Sequence, residues 1–303
     1  MKKLFGLIAL SLFIGKALMA QDLEPRSLSN VPTGFNAAIL GYGHSRGNIL
    51  FDPSVPIEGA TGIVNTAVAG YLRSINFFGM SGKVDVVVPF IFDSYWEGVV
   101  YGQQRDTTKV GFADPSIRLS VNFIGAPAVK MSEFKEYREK TIVGVSLRVM
   151  PPIGQYYSQN IINLGSNRWT FKPQLGISRR TGSWVFEGYF TVWLFTTNPD
   201  LMGATMTQKP IYTFAGHGCY LFKSGMWLAF DAGYGIGGQT TVDELPKEMQ
   251  KNFRLGSTLT VPLSKKYSIK LNYATGVDTR VGADFDALVV ALQYKWIGKK
   301  SMK

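Results

Sequence analysis

The chain contains many alternating segments of about ten to fourteen residues but, beyond its first twenty residues, no uncharged apolar window long enough for a membrane-spanning helix. A helix needs about 20 consecutive apolar residues to cross a bilayer, whereas a tilted strand needs about ten. Because backbone groups find no water in lipid, such strands are stable there only when they close into a barrel. The pattern therefore predicts an all-β chain that folds as a transmembrane antiparallel up-and-down β-barrel.

The alternation predicts about twelve strands. An even number lets both ends of the barrel lie on the periplasmic side. The predicted strands span residues 33–45, 62–76, 81–93, 113–124, 140–152, 168–180, 183–196, 210–222, 225–237, 250–262, 265–277 and 284–296.

The third predicted strand shows the pattern most clearly. Val84, Val86 and Val88 share one face, and Lys83 and Asp85 share the other. Side chains alternate across a strand, so lipid is expected to contact the apolar face and the lumen to contact the charged face.

The connections between the predicted strands alternate in length, as in outer-membrane barrels with short periplasmic turns and longer extracellular loops. The expected turns lie at 76–80, 181–182, 223–224 and 263–264, and the expected long loops lie at 46–61, 94–112, 153–167, 197–209, 238–249 and 278–283. Tyr95, Trp96 and Tyr101 fall at one predicted bilayer edge, where they suit an aromatic girdle. A role for Tyr95 and Trp96 in stacking on a solute stays open.

Two features depart from a regular barrel. Pro89 and Pro173 lie inside predicted strands, where each removes a ladder hydrogen bond, so they mark either bulges or misplaced strand boundaries. The connection over 125–139 is long although its place in the order is periplasmic. Residues 132–140 read as a short helix with Ser132 as the N-cap, and this element serves either as a surface helix or as a plug or docking element.

The first residues have the form of an export signal. A basic start and an apolar run precede Ala20, so we expect a cleaved signal peptide over residues 1–20. The remaining expected segments are an N-terminal periplasmic segment over 21–32, the barrel over 33–296 and a basic C-terminal tail over 297–303. The expected location is the outer membrane, with membrane lipid and the barrel-assembly machinery as partners.

The charge pattern indicates what the barrel interior contains. The chain has a formal net charge of +11, and its basic residues are scattered along strands rather than gathered in one patch. A basic lumen favours anionic solutes, although charges in a narrow interior can also pair with one another. The residues expected to line the lumen are Asp85, Arg118, Arg148, Lys172, Glu187, Asp231 and Arg254.

The composition argues against several other classes of function. One cysteine, Cys219, and two histidines, His44 and His217, provide neither an internal disulfide nor the ligand spacing of a metal site. No nucleic-acid-binding signature or phosphate-binding glycine loop is present. We expect no cofactor and no enzyme activity; a membrane-embedded hydrolase would require His44 or His217 beside a nucleophile.

Three stretches, at 40–48, 112–122 and 163–173, together with 151–156 and the last strand, carry a family resemblance. They are similar to the family of outer-membrane transporters named after the meta-pathway of phenol degradation. The resemblance implies a membrane barrel that admits aromatic or other small hydrophobic compounds. It transfers no catalytic residues and marks only family-typical positions near strand ends, namely Asp114, Pro115, Arg118, Asn167, Arg168 and Trp169.

The expected function is therefore an outer-membrane channel that admits small organic solutes, aromatic or hydrophobic ones among them, by passive diffusion. A closed structural or partner-binding barrel is the main alternative, and a hydrolase is the third.

Overall fold

The computed structural model describes residues 23–50, 57–160 and 162–298. The expected signal peptide and most of the expected C-terminal tail lie outside these residues. Within the described part, no helix is both long and apolar enough to span a bilayer.

Almost all regular structure in the described residues is β. In chain order the elements are β1 (Phe35–Leu50), β2 (Ile57–Phe77), β3 (Met80–Val100), β4 (Gln103–Thr108), β5 (Gly111–Phe112), β6 (Ser116–Pro127), helix α1 (Met131–Phe134), β7 (Thr141–Met150), β8 (Thr170–Thr181), β9 (Trp184–Phe195), β10 (Asn198–Leu201), β11 (Ala204–Gln208), β12 (Ile211–Leu221), β13 (Trp227–Gly237), β14 (Thr240–Val242), β15 (Leu245–Pro246), β16 (Gln250–Pro262), β17 (Tyr267–Thr279) and β18 (Gly282–Ile297).

Twelve of these strands form one closed antiparallel barrel, which confirms the predicted fold. Each barrel strand pairs with the next one along the chain, and β1 pairs with β18 over its whole length to close the ring. The other six strands, β4, β5, β10, β11, β14 and β15, belong to the long connections. The barrel therefore leaves no edge strand within the membrane, which is the condition for a sheet to exist there.

The outer face of the barrel is apolar. Leu40 of β1, Phe230 of β13 and Leu288 of β18 are among many large apolar side chains that are exposed on it. Their neighbours along each strand point inward and are polar or small. Arg118, Ser120 and Asn122 of β6 are examples, and all three are buried. The alternation read from the sequence thus corresponds to a lipid face and a lumen face.

A bulge in β3 changes which residues face inward beyond it. Asn65 pairs with Asp93 and Thr66 pairs with Ile91, so Phe92 has no partner in β2. The extra residue reverses the alternation beyond this point. Trp96 is consequently 3% exposed and stacks on Phe285 with ring centroids 5.9 Å apart. The expectation that Trp96 belongs to an aromatic girdle is wrong for this reason.

Both Pro89 and Pro173 lie where hydrogen-bonded pairing with one of the two neighbouring strands is interrupted. Pairing of β3 with β6 stops at Val87, pairing with β5 begins at Phe90, and Pro89 lies between them. The carbonyl oxygen of Pro89 still accepts a hydrogen bond from the Ala113 N–H at 3.2 Å. Pairing of β8 with β9 similarly omits Pro173. The prolines therefore lie within true strands at positions where no donor is needed.

The connections at the periplasmic end are mostly tight. The β2–β3 hairpin turns through Phe78 and Gly79 with φ values of 51° and 83°, the left-handed pair that a type I′ turn requires. The one long periplasmic link carries α1, which is only four residues long and has Lys130 rather than Ser132 as its N-cap. The rest of the predicted helix is not helical. There the Tyr137 hydroxyl donates to the carbonyl oxygen of Gly125 at 2.8 Å and attaches the link to the barrel.

The extracellular loops build a second, four-stranded sheet in the order β10, β11, β14, β15. Apolar side chains of these loops pack against the inner wall of the extended strands β1, β2, β3 and β18. The resulting core contains Leu164, Leu201, Ala204, Met206 and Val242 from the loops and Ile49, Val64, Ile91, Trp96 and Phe285 from the barrel. The extracellular half of the lumen is therefore filled by a small apolar core.

We expect Trp96→Ala to lower the free energy of unfolding by about 3–5 kcal/mol, the usual cost of removing a buried aromatic side chain. Denaturant unfolding of the refolded protein in lipid measures this change. Tyr95→Ala is the matched control, because Tyr95 is the exposed neighbour of Trp96 on the same strand. Equal effects of the two substitutions would contradict the inward packing of Trp96.

Candidate functional site in the barrel lumen

Residues 23–34, which we call the N-terminal plug, enter the barrel from its periplasmic end. The Thr33 N–H donates to the carbonyl oxygen of Val129 at 2.8 Å, which anchors the plug to the long periplasmic link. Further in, the Asn122 side chain donates to the carbonyl oxygen of Leu28 at 2.7 Å, and the Lys83 ammonium donates to that of Ser27. The described part of the segment that was expected in the periplasm thus occupies the lumen.

The inner end of the plug holds the main charge cluster of the lumen. The guanidinium of Arg118 donates to both carboxylate oxygens of Glu24, at 2.7 and 3.0 Å, and to Asp85 Oδ2 at 2.8 Å. Arg148 Nη2 lies 3.2 Å from Glu24 Oε2. Glu24 therefore joins three of the residues expected to line the lumen, namely Asp85, Arg118 and Arg148. The sequence analysis did not identify Glu24 as a lumen residue.

The electrostatics of Glu24 keep it ionised. Burial alone would raise the pKa of its carboxyl, but Arg118 and Arg148 outweigh burial and hold that pKa well below its usual range. Pairing and hydrogen bonding offset the desolvation of this half-buried carboxylate. The plug is consequently held by an ion pair on the barrel wall as well as by backbone contacts.

Two other expected lumen residues are acids with partners nearby. Glu187 Oε2 accepts a hydrogen bond from the backbone N–H of Arg26 at 2.5 Å, which adds a second attachment for the plug. Asp231 pairs with His217, whose Nδ1 lies 2.7 Å from Oδ1, and accepts a bond from the Thr258 hydroxyl at 3.2 Å. Glu187, His217 and Asp231 are all buried.

The remaining two expected lumen residues are Lys172 and Arg254. The Lys172 ammonium lies 3.5 Å from the ring centroid of Trp193, a cation–π contact. The guanidinium of Arg254 donates to the carbonyl oxygen of Ala283 and lines a cavity. Lys172 is the register partner of Arg148 and so lies beside the Arg118 cluster, whereas Arg254 lies at this separate cavity.

That cavity lies between the plug and the extracellular core and has a volume of about 140 Å³. Its wall is mainly apolar and includes Leu23, Trp193 and Ile211, and Gly233 and Gly235 of β13 leave space on one side because they have no side chains. Polar groups at its surface come from a few side chains, namely Gln174, Thr191, Thr213, Gln250, Asn252 and Arg254. An apolar hollow with a few polar groups is the usual form of a small-molecule site.

Two buried polar atoms at the cavity have no partner among the described residues. They are the indole Nε1 of Trp193, a donor, and Oδ1 of Asn252, an acceptor. Buried polar atoms are nearly always hydrogen-bonded, so such a pair at one cavity indicates space for a molecule that both donates and accepts.

The family-typical positions at the extracellular end hold the loops together. Asp114 accepts hydrogen bonds at 2.8 Å from the backbone N–H groups of Gly154 and Ser166. Asn167 donates to Asn198 Oδ1 at 2.8 Å. Arg168 is buried over the ring of Phe195, 4.4 Å from its centroid. These contacts join the loops after β3, β7 and β9 into one cover.

The sequence analysis missed the plug and the second sheet because neither carries a long alternating pattern. Glu24 lies in a short segment with no strand or helix signal, and β10, β11, β14 and β15 are each two to five residues long. The one signal in the sequence was that bases outnumber acids among the residues expected to line the lumen, so an additional acid would be needed there to balance them.

Comparison with known proteins places the chain among outer-membrane barrels. It has a TM-score of 0.75 and 16% identity to an outer membrane channel from Pseudomonas putida F1, covering 91% of this chain and 100% of that one. It has a TM-score of 0.50 to the beta domain of the Bordetella autotransporter BrkA, at 11% identity and 86% and 99% coverage. For the transport unit of the Escherichia coli autotransporter AIDA-I the TM-score is also 0.50, at 10% identity and 93% and 96% coverage.

No curated protein matches the sequence significantly. Residues 54–292 match the family described as "Putative MetA-pathway of phenol degradation", and this match covers most of the chain. The chain, with its twelve-stranded barrel and filled lumen, belongs to that family.

Proposed function

We propose that this barrel is a channel of the outer membrane through which small organic solutes, aromatic or hydrophobic ones among them, diffuse passively. The observation that carries this proposal is the cavity between the plug and the extracellular core. A cavity of about 150 Å³ with apolar walls is known to hold a benzene-sized molecule, and this one is of similar volume. Trp193 and Asn252 would each bond a polar substituent on such a molecule.

Passage requires the plug to move. The plug fills the periplasmic half of the lumen, so a solute in the cavity reaches the periplasm only when residues 23–30 leave their contacts with Arg118, Asn122 and Glu187. The strands themselves stay closed because their ladders satisfy the backbone in lipid. Solute movement then follows the concentration gradient with no energy source in the barrel.

Among the residues predicted to line the lumen, the four bases Arg118, Arg148, Lys172 and Arg254 outnumber the acids Asp85, Glu187 and Asp231, and the Lys83 ammonium adds a further base. Once the Glu24 carboxylate is displaced, the path carries an excess of positive charge. Such a lining prefers anions.

The main alternative is a closed structural or partner-binding barrel. The pairing of Arg118 with Glu24 and Asp85, and the hydrogen bond between His217 and Asp231, favour it, because polar groups that satisfy one another need no water. Loop deletions that abolish partner binding but leave solute permeability unchanged would support this alternative. A hydrolase, the third alternative, would require His44 or His217 beside a nucleophile; the Nδ1 atoms of these histidines contact Asn65 and Asp231.

The first prediction concerns ion selectivity. We expect the double substitution Arg148→Glu and Arg254→Glu to move the reversal potential in a salt gradient toward cation preference, because it reverses two charges along the path. Planar-bilayer recording of the refolded protein measures this shift. Arg46→Glu with Arg105→Glu makes the same charge change at exposed positions and should leave the selectivity unaltered. An unchanged reversal potential in the lumen variant would remove these two bases from the path.

The second prediction concerns the cavity. Gly235→Val should abolish most binding of benzyl alcohol, because a Cβ at Gly235 already lies 3.3 Å from the Thr213 methyl group and a larger side chain fills the hollow. Saturation-transfer NMR on the barrel in nanodiscs measures binding. Ala232→Val, on the same strand but on the opposite face, corrects for partition of the alcohol into lipid. Equal signals from the two variants would show that the cavity does not take the solute.

A further inference from the structure

The inner end of the plug combines an apolar and an acidic side chain in adjacent residues. Leu23 is buried and lines the cavity, where it contacts the wall beside Gly233 and Gly256. Glu24 turns the other way and reaches Arg118 and Arg148. Together they present to the barrel an apolar group beside a carboxylate.

The contacts of Glu24 are those by which proteins bind free carboxylates. Both of its oxygens accept from Arg118, through Nη1 at 2.7 Å and Nη2 at 3.0 Å, and Arg148 adds a third contact at 3.2 Å. A bidentate arginine contact is the strongest and most specific recognition available to a carboxylate. The plug carboxylate is therefore bound as a ligand would be.

The barrel wall orients Arg118 independently of the plug. The Arg118 Nε donates to Asp85 Oδ2 at 2.8 Å, so the guanidinium is oriented by β3 while its outer edge faces the lumen. When Glu24 leaves, Asp85 balances only one of the two guanidiniums. The vacated site retains the charge of Arg148 and that of the neighbouring Lys172, so it is positive and favours an incoming anion over a neutral molecule.

The arginine pair and the apolar cavity are neighbours. A smaller polar cavity of about 20 Å³ adjoins Glu24, Arg118 and Arg148, and Gln174 and Thr191 line both this cavity and the larger one. A molecule with a small apolar body and one carboxylate would thus occupy both regions at once, as Leu23 and Glu24 do now.

We propose that Leu23 and Glu24 act as a built-in pseudo-ligand, and that the site they occupy binds small monocarboxylates with an apolar body. This inference rests on the proposed function and specifies its substrate class. The solute and the plug compete for the same donors, so entry of a carboxylate solute and release of the plug are one event. A neutral molecule of equal size occupies the cavity without displacing Glu24.

Benzoate and benzyl alcohol are the matched probes, because they share a ring and differ in the carboxylate. Their binding to the full mature barrel in nanodiscs is measured by calorimetric titration. Glu24→Gln should tighten benzoate binding at least about tenfold, the factor that one charge-assisted hydrogen bond supports. The same substitution should change benzyl alcohol binding less than about twofold, a change much smaller than one hydrogen bond.

Glu187→Gln is the control variant. It removes a lumen charge and weakens another attachment of the plug, at Arg26, but leaves Glu24 on the arginines. It should change benzoate affinity much less than Glu24→Gln does, because the Glu24 carboxylate still occupies the arginine pair. Adding Arg148→Gln to Glu24→Gln should reverse most of the gain, and this pair is chosen because Arg118 also holds Asp85 and its loss would disturb folding. Circular dichroism verifies that each variant is folded.

Three results would overturn the inference. They are equal gains for benzoate and benzyl alcohol in Glu24→Gln, equal gains for benzoate in Glu24→Gln and Glu187→Gln, and no benzoate binding to any folded variant. The first two would reduce the plug to a simple obstruction. Benzoate flux into liposomes tests the proposed channel separately. Glu24-dependent binding without flux would support the carboxylate site and contradict the channel. Flux without Glu24-dependent binding would support the channel and contradict the carboxylate site.

Discussion

The hydrogen-bonding requirement of the backbone in lipid is the constraint on which the rest of this structure depends. Every strand of the barrel must have a neighbour on both sides, and pairing of β1 with β18 meets that requirement for the last open edge. Closure assigns each side chain to lipid or lumen, and the polar ones go to the lumen. A ring of twelve strands then encloses a space too narrow for a wide water-filled pore and too wide for the wall side chains alone to fill.

The chain fills that space from both ends with different chemistry. The extracellular half contains an apolar core in which loop residues such as Leu201 and Met206 pack on Trp96 and Phe285. The periplasmic half contains the plug, held by ion pairs and backbone hydrogen bonds. Apolar packing is spread over many side chains and cannot be displaced at one contact, whereas a competing ion can displace one partner of an ion pair. In our proposal, the plug is therefore the part of the barrel filling that a charged solute displaces.

The long periplasmic link, an exception to the regular pattern of turns, has a place in this arrangement. Its carbonyl at Val129 accepts from Thr33, and Glu139 lies 3.7 Å from the guanidinium of Arg26. The link thus holds the outer part of the plug while Arg118 and Arg148 hold its inner end. The contacts of the arginine pair with Glu24 are separate from those of the link, so the proposed displacement of the inner end leaves the outer part of the plug attached.

The sequence by itself determined the barrel, its twelve strands and which side chains face lipid, because period-two alternation and segment length are local properties. It also identified Arg118 and Asp85 as lumen residues. Only the tertiary structure decided that Glu24 joins them, since its segment has no periodic signal and its partners lie 94 or more residues away. Likewise, His217 meets Asp231 through the register of β12 with β13, and Trp96 turns inward because of a one-residue bulge. Long-range pairing and register are set by the closed fold, and no local pattern encodes them.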